Sequence, residues 1–146
     1  MDDELSCLNL AEDFQAVLAC DDAKRWMLES PEPLTVLATM SSTKLPEEVF
    51  QARLSWTKYP NEPPSMKFRD KATSRLDLPA AWPQVRVFRP SSFDACVSWC
   101  AEGFALHPEW RNDPQWRWDS SGNVLLKVLR ILQAELDSHL QGRFHG

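Results

Sequence analysis

Glycine is scarce in this sequence, with 4 residues among 146. Neither G-x-G-x-x-G nor G-x-x-x-x-G-K-[ST] occurs in it, so nothing supports nucleotide binding through a glycine-rich phosphate loop. Long apolar runs are lacking as well. Stretches such as residues 124–126 fall far short of the roughly 20 apolar residues that a membrane-spanning helix needs, and we expect no contact with a membrane.

Positive charge is also in deficit. Lys and Arg number 16 against 21 Asp and Glu, which gives a net charge of −5. Proteins that bind nucleic acid through its phosphates need a basic surface, so no nucleic-acid partner is expected. The acidic residues 1–4 are unlike the basic start of a secretory signal. We therefore expect a cytoplasmic protein with reduced cysteines.

The overall composition is that of a folded domain. Apolar residues make up 43% and charged residues 25%, both close to globular averages. A chain of this length can bury one core but is short for two. Neither an internal repeat nor a low-complexity linker divides it, so a single domain over residues 1–146 is predicted.

Two segments show the three-and-four spacing of apolar residues that is typical of an amphipathic helix. The first predicted helix covers residues 8–28 and should end before Pro31 and Pro33, because proline cannot continue the helical hydrogen bonds. The second follows N-cap candidates at residues 120–123. Its apolar stripe consists of Leu125, Val128, Leu129, Leu132, Leu136 and Leu140.

Between these helices, apolar and polar residues alternate with the period of two that is typical of strands. Strands are predicted at residues 34–40, 50–56 and 66–68, with a fourth at 85–88. Their short connections favour antiparallel pairing. The prediction is an α+β domain with an N-terminal helix, a meander of about four strands, a long loop over residues 89–119 and a C-terminal helix. The predicted core contains Leu54, Trp56, Phe68, Leu125, Leu129 and Leu132.

Residues 59–64 read Tyr-Pro-Asn-Glu-Pro-Pro and directly follow the predicted hairpin. Consecutive prolines have a fixed φ and donate no hydrogen bond, so they end strand pairing and direct the chain into the next strand. This motif, together with the order of the predicted elements, resembles the ubiquitin-conjugating (UBC) family over nearly the whole chain. The short C-terminal part is similar to the reduced forms in bacterial ubiquitin-like conjugation operons, which implies a role in antiphage defence.

The resemblance implies a catalytic cysteine in the long loop. Residues 89–97, Arg-Pro-Ser-Ser-Phe-Asp-Ala-Cys-Val, resemble the segment that carries the family's nucleophile, which makes Cys96 the expected catalytic residue. Arg89 and Ser91 replace the His and Asn of the family's His-Pro-Asn motif. Stabilisation of the oxyanion would then come from Ser91, Ser92, Asn112 or backbone amides.

The implied function is acyl transfer by a UBC-type transferase. The cysteine would accept the C-terminal carboxyl of a ubiquitin-like protein from an activating enzyme as a thioester, then pass it to an amine of an acceptor protein. No cofactor and no metal is expected. An ordinary thiol, with a pKa of roughly 8.5, is partly ionised at neutral pH and needs no dedicated base. Asp94 would either oppose ionisation of Cys96 or help to deprotonate the incoming amine.

Other interpretations fit the same residues. A non-catalytic interaction module of the same fold would be favoured by a buried Cys96 thiol, and an enzyme by an accessible one. Cys100 is an alternative nucleophile. Cys96, Cys100 and His107 could also ligate a metal, or Cys96 and His107 could form a cysteine protease site. Cys7 and Cys20 are expected to be small apolar residues without a catalytic role.

The long loop also carries Trp110, Trp116 and Trp118. Large aromatic side chains dominate burial in small domains, so these three are expected to pack beneath the loop. The segment 107–110, His-Pro-Glu-Trp, follows the cysteine and is a candidate flap over the thioester site.

Overall fold

A computed structural model describes residues 3–145 of the chain. An N-terminal helix is followed by four strands, a small hairpin and two further helices. Their bounds are α1 Glu4–Leu18, β1 Met27–Glu32, β2 Thr35–Ser41, β3 Val49–Ser55, β4 Ser65–Arg69, β5 Phe88–Arg89, β6 Asp94–Ala95, α2 Ala101–Leu106 and α3 Val124–His139. Short 3₁₀ turns lie at Asp21–Arg25, Pro79–Ala81 and Pro108–Asn112.

Strands β1 to β4 form one antiparallel sheet in sequential order. Ala52 in β3 lies opposite Ala38 in β2 on one side and Phe68 in β4 on the other. The predicted α+β architecture and the strands predicted at residues 34–40, 50–56 and 66–68 are confirmed, with small differences at their ends.

The core includes the inner face of the sheet and the apolar face of α3. All six residues predicted to share it are buried in one cluster. The helix begins as predicted: the side chain of Asn123 caps it by accepting a hydrogen bond from the N–H of Leu126 at 3.0 Å. Within residues 3–145, no helix is both long enough and apolar enough to cross a membrane.

The first helix is shorter than predicted. Because α1 ends at Leu18 and β1 begins at Met27, the prediction of one helix over residues 8–28 is wrong beyond Leu18. Residues 26–28 are buried, exposed and half-buried in turn, which is the period of a strand rather than of a helix. The acidic pair Asp21 and Asp22 starts a 3₁₀ turn that separates the two elements.

The prolines expected to end that helix lie instead in and after a strand. Pro31 is part of β1, whose pairing with β2 is irregular between Glu29 and Glu32. β1 is the outermost strand of the sheet, and an edge strand can accommodate a proline because one of its sides needs no ladder hydrogen bonds.

The strand predicted at residues 85–88 does not join the sheet, whose fourth strand is β1. The N–H of Phe88 donates to the carbonyl of Val85 at 2.9 Å, so this segment turns instead of extending. Both side chains are buried all the same, which explains why their spacing resembles that of a strand. Only Phe88–Arg89 is extended, and it pairs with β6.

Tyr59, at the start of the proline-rich segment, ties three elements together. Its ring is buried, its N–H donates to the hydroxyl of Ser6 in α1 at 3.0 Å, and its hydroxyl accepts from the N–H of Leu125 in α3 at 3.0 Å. The same hydroxyl donates to the carboxylate of Asp13. Burial, and secondarily the hydrogen bond with Asp13, raises the pKa of Tyr59.

Candidate active site

Cys96 lies directly after β6, where the β5–β6 hairpin meets the segment that leads to α2. Its N–H donates to the carbonyl of Val87 at 2.9 Å, which extends the pairing of the hairpin by one residue. The side chain is partly exposed. Cys96 is therefore carried on an ordered backbone and retains part of its solvent exposure.

Helix α2 is anchored to the strand β4. The carbonyl of Pro64 accepts from the N–H of Ala101 at 2.7 Å, which links the proline-rich segment to the first residue of the helix. The carboxylate of Glu102 accepts from the N–H of Met66 at 3.1 Å and from the hydroxyl of Ser65. These contacts fix where the helix starts.

The same helix packs tightly against the backbone that follows Cys96. Gly103 is buried, and a Cβ at this position would lie 1.7 Å from the carbonyl oxygen of Val97. Only glycine permits this approach. The C-terminal end of α2 is thereby held close to the thiol, and the residue at that end is His107.

Cys96, His107 and Glu109 form a chain of polar contacts. The Sγ of Cys96 lies 3.3 Å from Nε2 of His107, and Nδ1 of His107 lies 3.1 Å from Oε1 of Glu109. The pKa of Glu109 is lowered, first by a hydrogen bond to its own backbone amide and second by His107. A thiol, an imidazole and a carboxylate in this order are the groups needed to move a proton away from sulfur.

An aromatic stack fixes the plane of the imidazole. The ring of His107 lies 4.3 Å from that of Trp110 at an interplanar angle of 18°, and Trp110 in turn stacks on Trp116 at 5.7 Å. Phe104 of α2 meets Trp110 edge-on. Trp116 is exposed and Trp110 is only half-buried, so the prediction that they pack beneath the loop is wrong for these two, which flank the site. Trp118 agrees with the prediction: it packs against the core, and its Nε1 donates to the carbonyl of Pro60 at 2.9 Å.

Asp94 is held by Arg89 across the hairpin. Two hydrogen bonds, of 2.6 and 2.8 Å, join the guanidinium to the carboxylate. The hydroxyl of Ser92 also donates to Asp94, at 3.1 Å. The pKa of Asp94 is lowered, mainly by its hydrogen bonds with Arg89. The pKa of Arg89 is raised, first by Asp94 and to a smaller extent by the charge of Cys96.

The other cysteines have different surroundings. Cys100 is fully buried with its sulfur directed at the carbonyl of Ala95, and burial raises its pKa to about 12. Cys20 is half-buried and its sulfur donates to the carbonyl of Ala16, and Cys7 is half-buried on α1. Among residues 3–145, no group of three His, Cys, Asp or Glu side chains is arranged to hold a metal ion.

No family model matches this sequence, and neither a similar curated protein nor a similar solved structure is found. The resemblance to the UBC family accordingly remains a prediction made from the residues quoted above.

Sequence reasoning finds part of this site. Cys96 and His107 are named as a possible pair on residue type alone, and the structure brings them into contact. The structure does not bring Cys100 to this pair, because the sulfur of Cys100 is directed at the carbonyl of Ala95. The sequence reasoning misses Glu109, for which the only signal is its position two residues after a histidine. It also leaves the role of Asp94 open, because its pairing with Arg89 depends on the hairpin.

Proposed function

We propose that this protein is a ubiquitin-conjugating-type thioester carrier in which Cys96 is the acyl acceptor. The observation that carries the proposal is the contrast between two neighbouring cysteines. Cys96 is partly exposed and contacts His107, whereas Cys100 is buried with a raised pKa. An accessible thiol beside an imidazole suits an enzyme better than a non-catalytic module of the same fold.

The finer assignment of the α+β architecture to the UBC-like fold is part of the same proposal. It is supported by the order of the elements: a helix, a four-stranded antiparallel sheet with the Tyr59–Pro64 segment between its third and fourth strands, a cysteine loop and a final helix. The partners would be a ubiquitin-like protein, an activating enzyme and an acceptor protein, all in the cytoplasm. Their identities depend on the resemblance to the family.

The proposed reaction has two acyl-transfer steps. In the first, the thiolate of Cys96 attacks the thioester carbonyl on the activating enzyme, whose cysteine leaves as a thiolate. In the second, an amine of the acceptor attacks the new thioester, an amide forms, and the thiolate of Cys96 leaves. Ser92 was one candidate for stabilising the oxyanion, but its hydroxyl is engaged with Asp94, which favours backbone amides or another side chain for that role.

The proposal is tested by a charging assay with a candidate activating enzyme, ATP and a ubiquitin-like protein. The wild-type protein should form an adduct that thiol reductants remove, because a thiol exchanges with a thioester. Cys96→Ser should form either no adduct or an oxyester that resists the reductant. Cys100→Ala is the matched control and should still be charged, since its sulfur is buried.

Two results would contradict this assignment. An adduct that persists in Cys96→Ala and disappears in Cys100→Ala would make Cys100 the acceptor. If partners that charge another carrier give no adduct with this chain, the interaction module is favoured.

A cysteine hydrolase is a second candidate, favoured by the contacts from Cys96 through His107 to Glu109. The two functions differ in their need for an activating enzyme. A hydrolase would release coumarin repeatedly from a C-terminal coumarin amide of the ubiquitin-like protein without ATP. Such turnover, if it is abolished in Cys96→Ala, would favour the hydrolase function over the carrier function.

A further inference from the structure

His107 is the polar side chain that faces the Cys96 thiol, at 3.3 Å. The carboxylate on the hairpin, that of Asp94, accepts hydrogen bonds from Nε and Nη2 of Arg89. A carboxylate paired in this way is a poor proton acceptor, because accepting a proton would break the ion pair. His107 is therefore a better candidate than Asp94 for deprotonating the incoming amine.

We propose that His107 is the proton acceptor in both acyl-transfer steps at Cys96 and that Glu109 is a positioning residue that acts through His107. The inference rests on the proposed function and adds a base to it. An ordinary thiol is partly ionised at neutral pH without a dedicated base, so this role is additional to that of the acyl acceptor itself.

The contacts of the imidazole determine which nitrogen can accept. An ionised carboxylate only accepts hydrogen bonds, so the contact of Glu109 with Nδ1 requires the proton to be on Nδ1. The neutral ring then presents the lone pair of Nε2 to the sulfur of Cys96. Stacking on Trp110 holds the ring in the plane that makes both contacts.

In the loading step, Nε2 of His107 accepts the proton of the Cys96 thiol. The thiolate attacks the carbonyl carbon of the donor thioester, and a new carbon–sulfur bond forms while the bond to the activating enzyme's cysteine breaks. That leaving sulfur takes the proton from His107. The imidazole returns to its neutral form, and no redox partner is needed.

In the discharge step, the nitrogen of the acceptor amine attacks the acyl carbon on Cys96. His107 accepts the proton that the nitrogen loses as the carbon–nitrogen bond forms. The carbon–sulfur bond then breaks, and the same proton passes to the sulfur of Cys96 across the 3.3 Å contact. The products are an amide and a free thiol.

The charged groups around the site are paired with one another. On the hairpin, Arg89 is paired with Asp94 and is close enough to Cys96 to be influenced by its charge. From β4, Lys67 lies 3.9 Å from Glu102 of α2. Glu109 faces His107 from its own segment.

The test is the rate at which a preformed thioester is discharged to free lysine in a single turnover, measured from pH 6 to pH 9. His107→Gln should slow discharge at pH 7 by about tenfold or more, because positioned acid–base groups typically contribute factors of about 10²–10⁴. The deficit should shrink towards pH 9, where hydroxide and other bases in solution can increasingly accept that proton in place of His107. Glu109→Gln keeps an oxygen that can accept from Nδ1, so it should discharge faster than Glu109→Ala.

His139→Gln is the matched control, because His139 is an exposed histidine in α3. It should discharge at the wild-type rate. Melting curves of all variants show whether they are folded. A folded His107→Gln protein that discharges at the wild-type rate and with the wild-type pH profile overturns the proposal.

A second measurement does not depend on any partner. The rate of alkylation of Cys96 by iodoacetamide at pH 7, followed by mass spectrometry, should fall severalfold in His107→Gln and stay unchanged in His139→Gln. If no charging occurs but this difference is seen, the carrier function fails and the role of His107 as proton acceptor for the thiol is supported. Equal alkylation rates in the two variants would overturn that role.

Discussion

At the scale of single residues, burial separates two cysteines that are only four positions apart. Burial raises the pKa of Cys100 to about 12, so its thiol is almost wholly protonated at neutral pH and unreactive. Cys96 is partly exposed and faces an imidazole. Residues 96–100 form bends and a turn, not a helix, and this irregular path directs the two side chains to different surroundings.

Asp94 should matter for folding rather than for catalysis. Its pKa is lowered mainly by Arg89, so its contribution to stability is present above the unfolded-state pKa of about 3.9 and is lost as the pH falls through the lower folded-state pKa. Asp94→Asn should lower the free energy of unfolding by at most about 1 kcal/mol at pH 7, because 44% of the Arg89 side chain is exposed.

Urea unfolding of wild type and Asp94→Asn at several pH values checks this. The difference between them should shrink as the pH falls through the lowered folded-state pKa of Asp94, because the carboxylate is then protonated and loses its ion pair with Arg89. Discharge by Asp94→Asn should stay within about threefold of wild type, since proton transfer is assigned to another group. A tenfold loss of discharge would instead make Asp94 catalytic.

At the scale of elements, the helices and strands that the sequence predicts are those whose apolar residues recur with a regular period. The apolar stripe of α3 is of this kind and is confirmed, as is the alternation in much of β3. The strand β2 is also present, but its residues 35–40 are all buried, so both of its faces are covered. β1 escapes prediction because it is a mostly exposed edge strand that contains Pro31. The β5–β6 hairpin escapes it because each strand has two residues.

The candidate site, too, can be predicted only in part from the sequence. Cys96 is predictable because its segment resembles a known one, and His107 because histidine is a familiar partner of cysteine. Their contact depends on a tertiary feature without period, the close packing of Gly103 against Val97. The aromatic stack of His107 on Trp110 likewise joins residues of an irregular segment.

Replacing the glycine of α2 should disturb the site without altering its chemistry. In Gly103→Ala the new Cβ would collide with the backbone of Val97, so the helix must shift at a cost of about 1–3 kcal/mol. His107 at the end of the helix would move with it. We expect a lower melting temperature and slower alkylation of Cys96 at pH 7.

Ala105→Ser provides a control on the same helix, since Ala105 is exposed. It should melt close to wild type and be alkylated at the wild-type rate. If Gly103→Ala behaved like this control, α2 would not be what positions His107.

At the scale of the whole molecule, the proline-rich segment links the two long helices to the site. Tyr59 bonds to residues of α1 and α3, and Pro64, five residues later, bonds to the first residue of α2. The Tyr59–Pro64 segment, on which the resemblance to the family rests, therefore contacts all three helices.

The variant Tyr59→Phe should reveal how much the hydrogen bonds of the Tyr59 hydroxyl contribute to the stability of the fold. The variant keeps the ring but removes the hydroxyl, so the N–H of Leu125 and the carboxylate of Asp13 lose their partner. We expect the free energy of unfolding to fall by about 1–3 kcal/mol, measured by urea denaturation. Alkylation of Cys96 in the folded variant should be unchanged, and an unaltered unfolding midpoint would show that the hydroxyl contributes nothing.

The two outer strands of the sheet have a consequence for self-association. An exposed strand edge offers unpaired backbone groups to another chain and is a starting point for aggregation. On the β1 side, Pro31 lacks an N–H and the pairing is irregular. On the β4 side, the N–H of Met66 is occupied by Glu102. The contact that anchors α2 at the candidate active site thus also occupies a backbone group with which a second molecule could pair a strand.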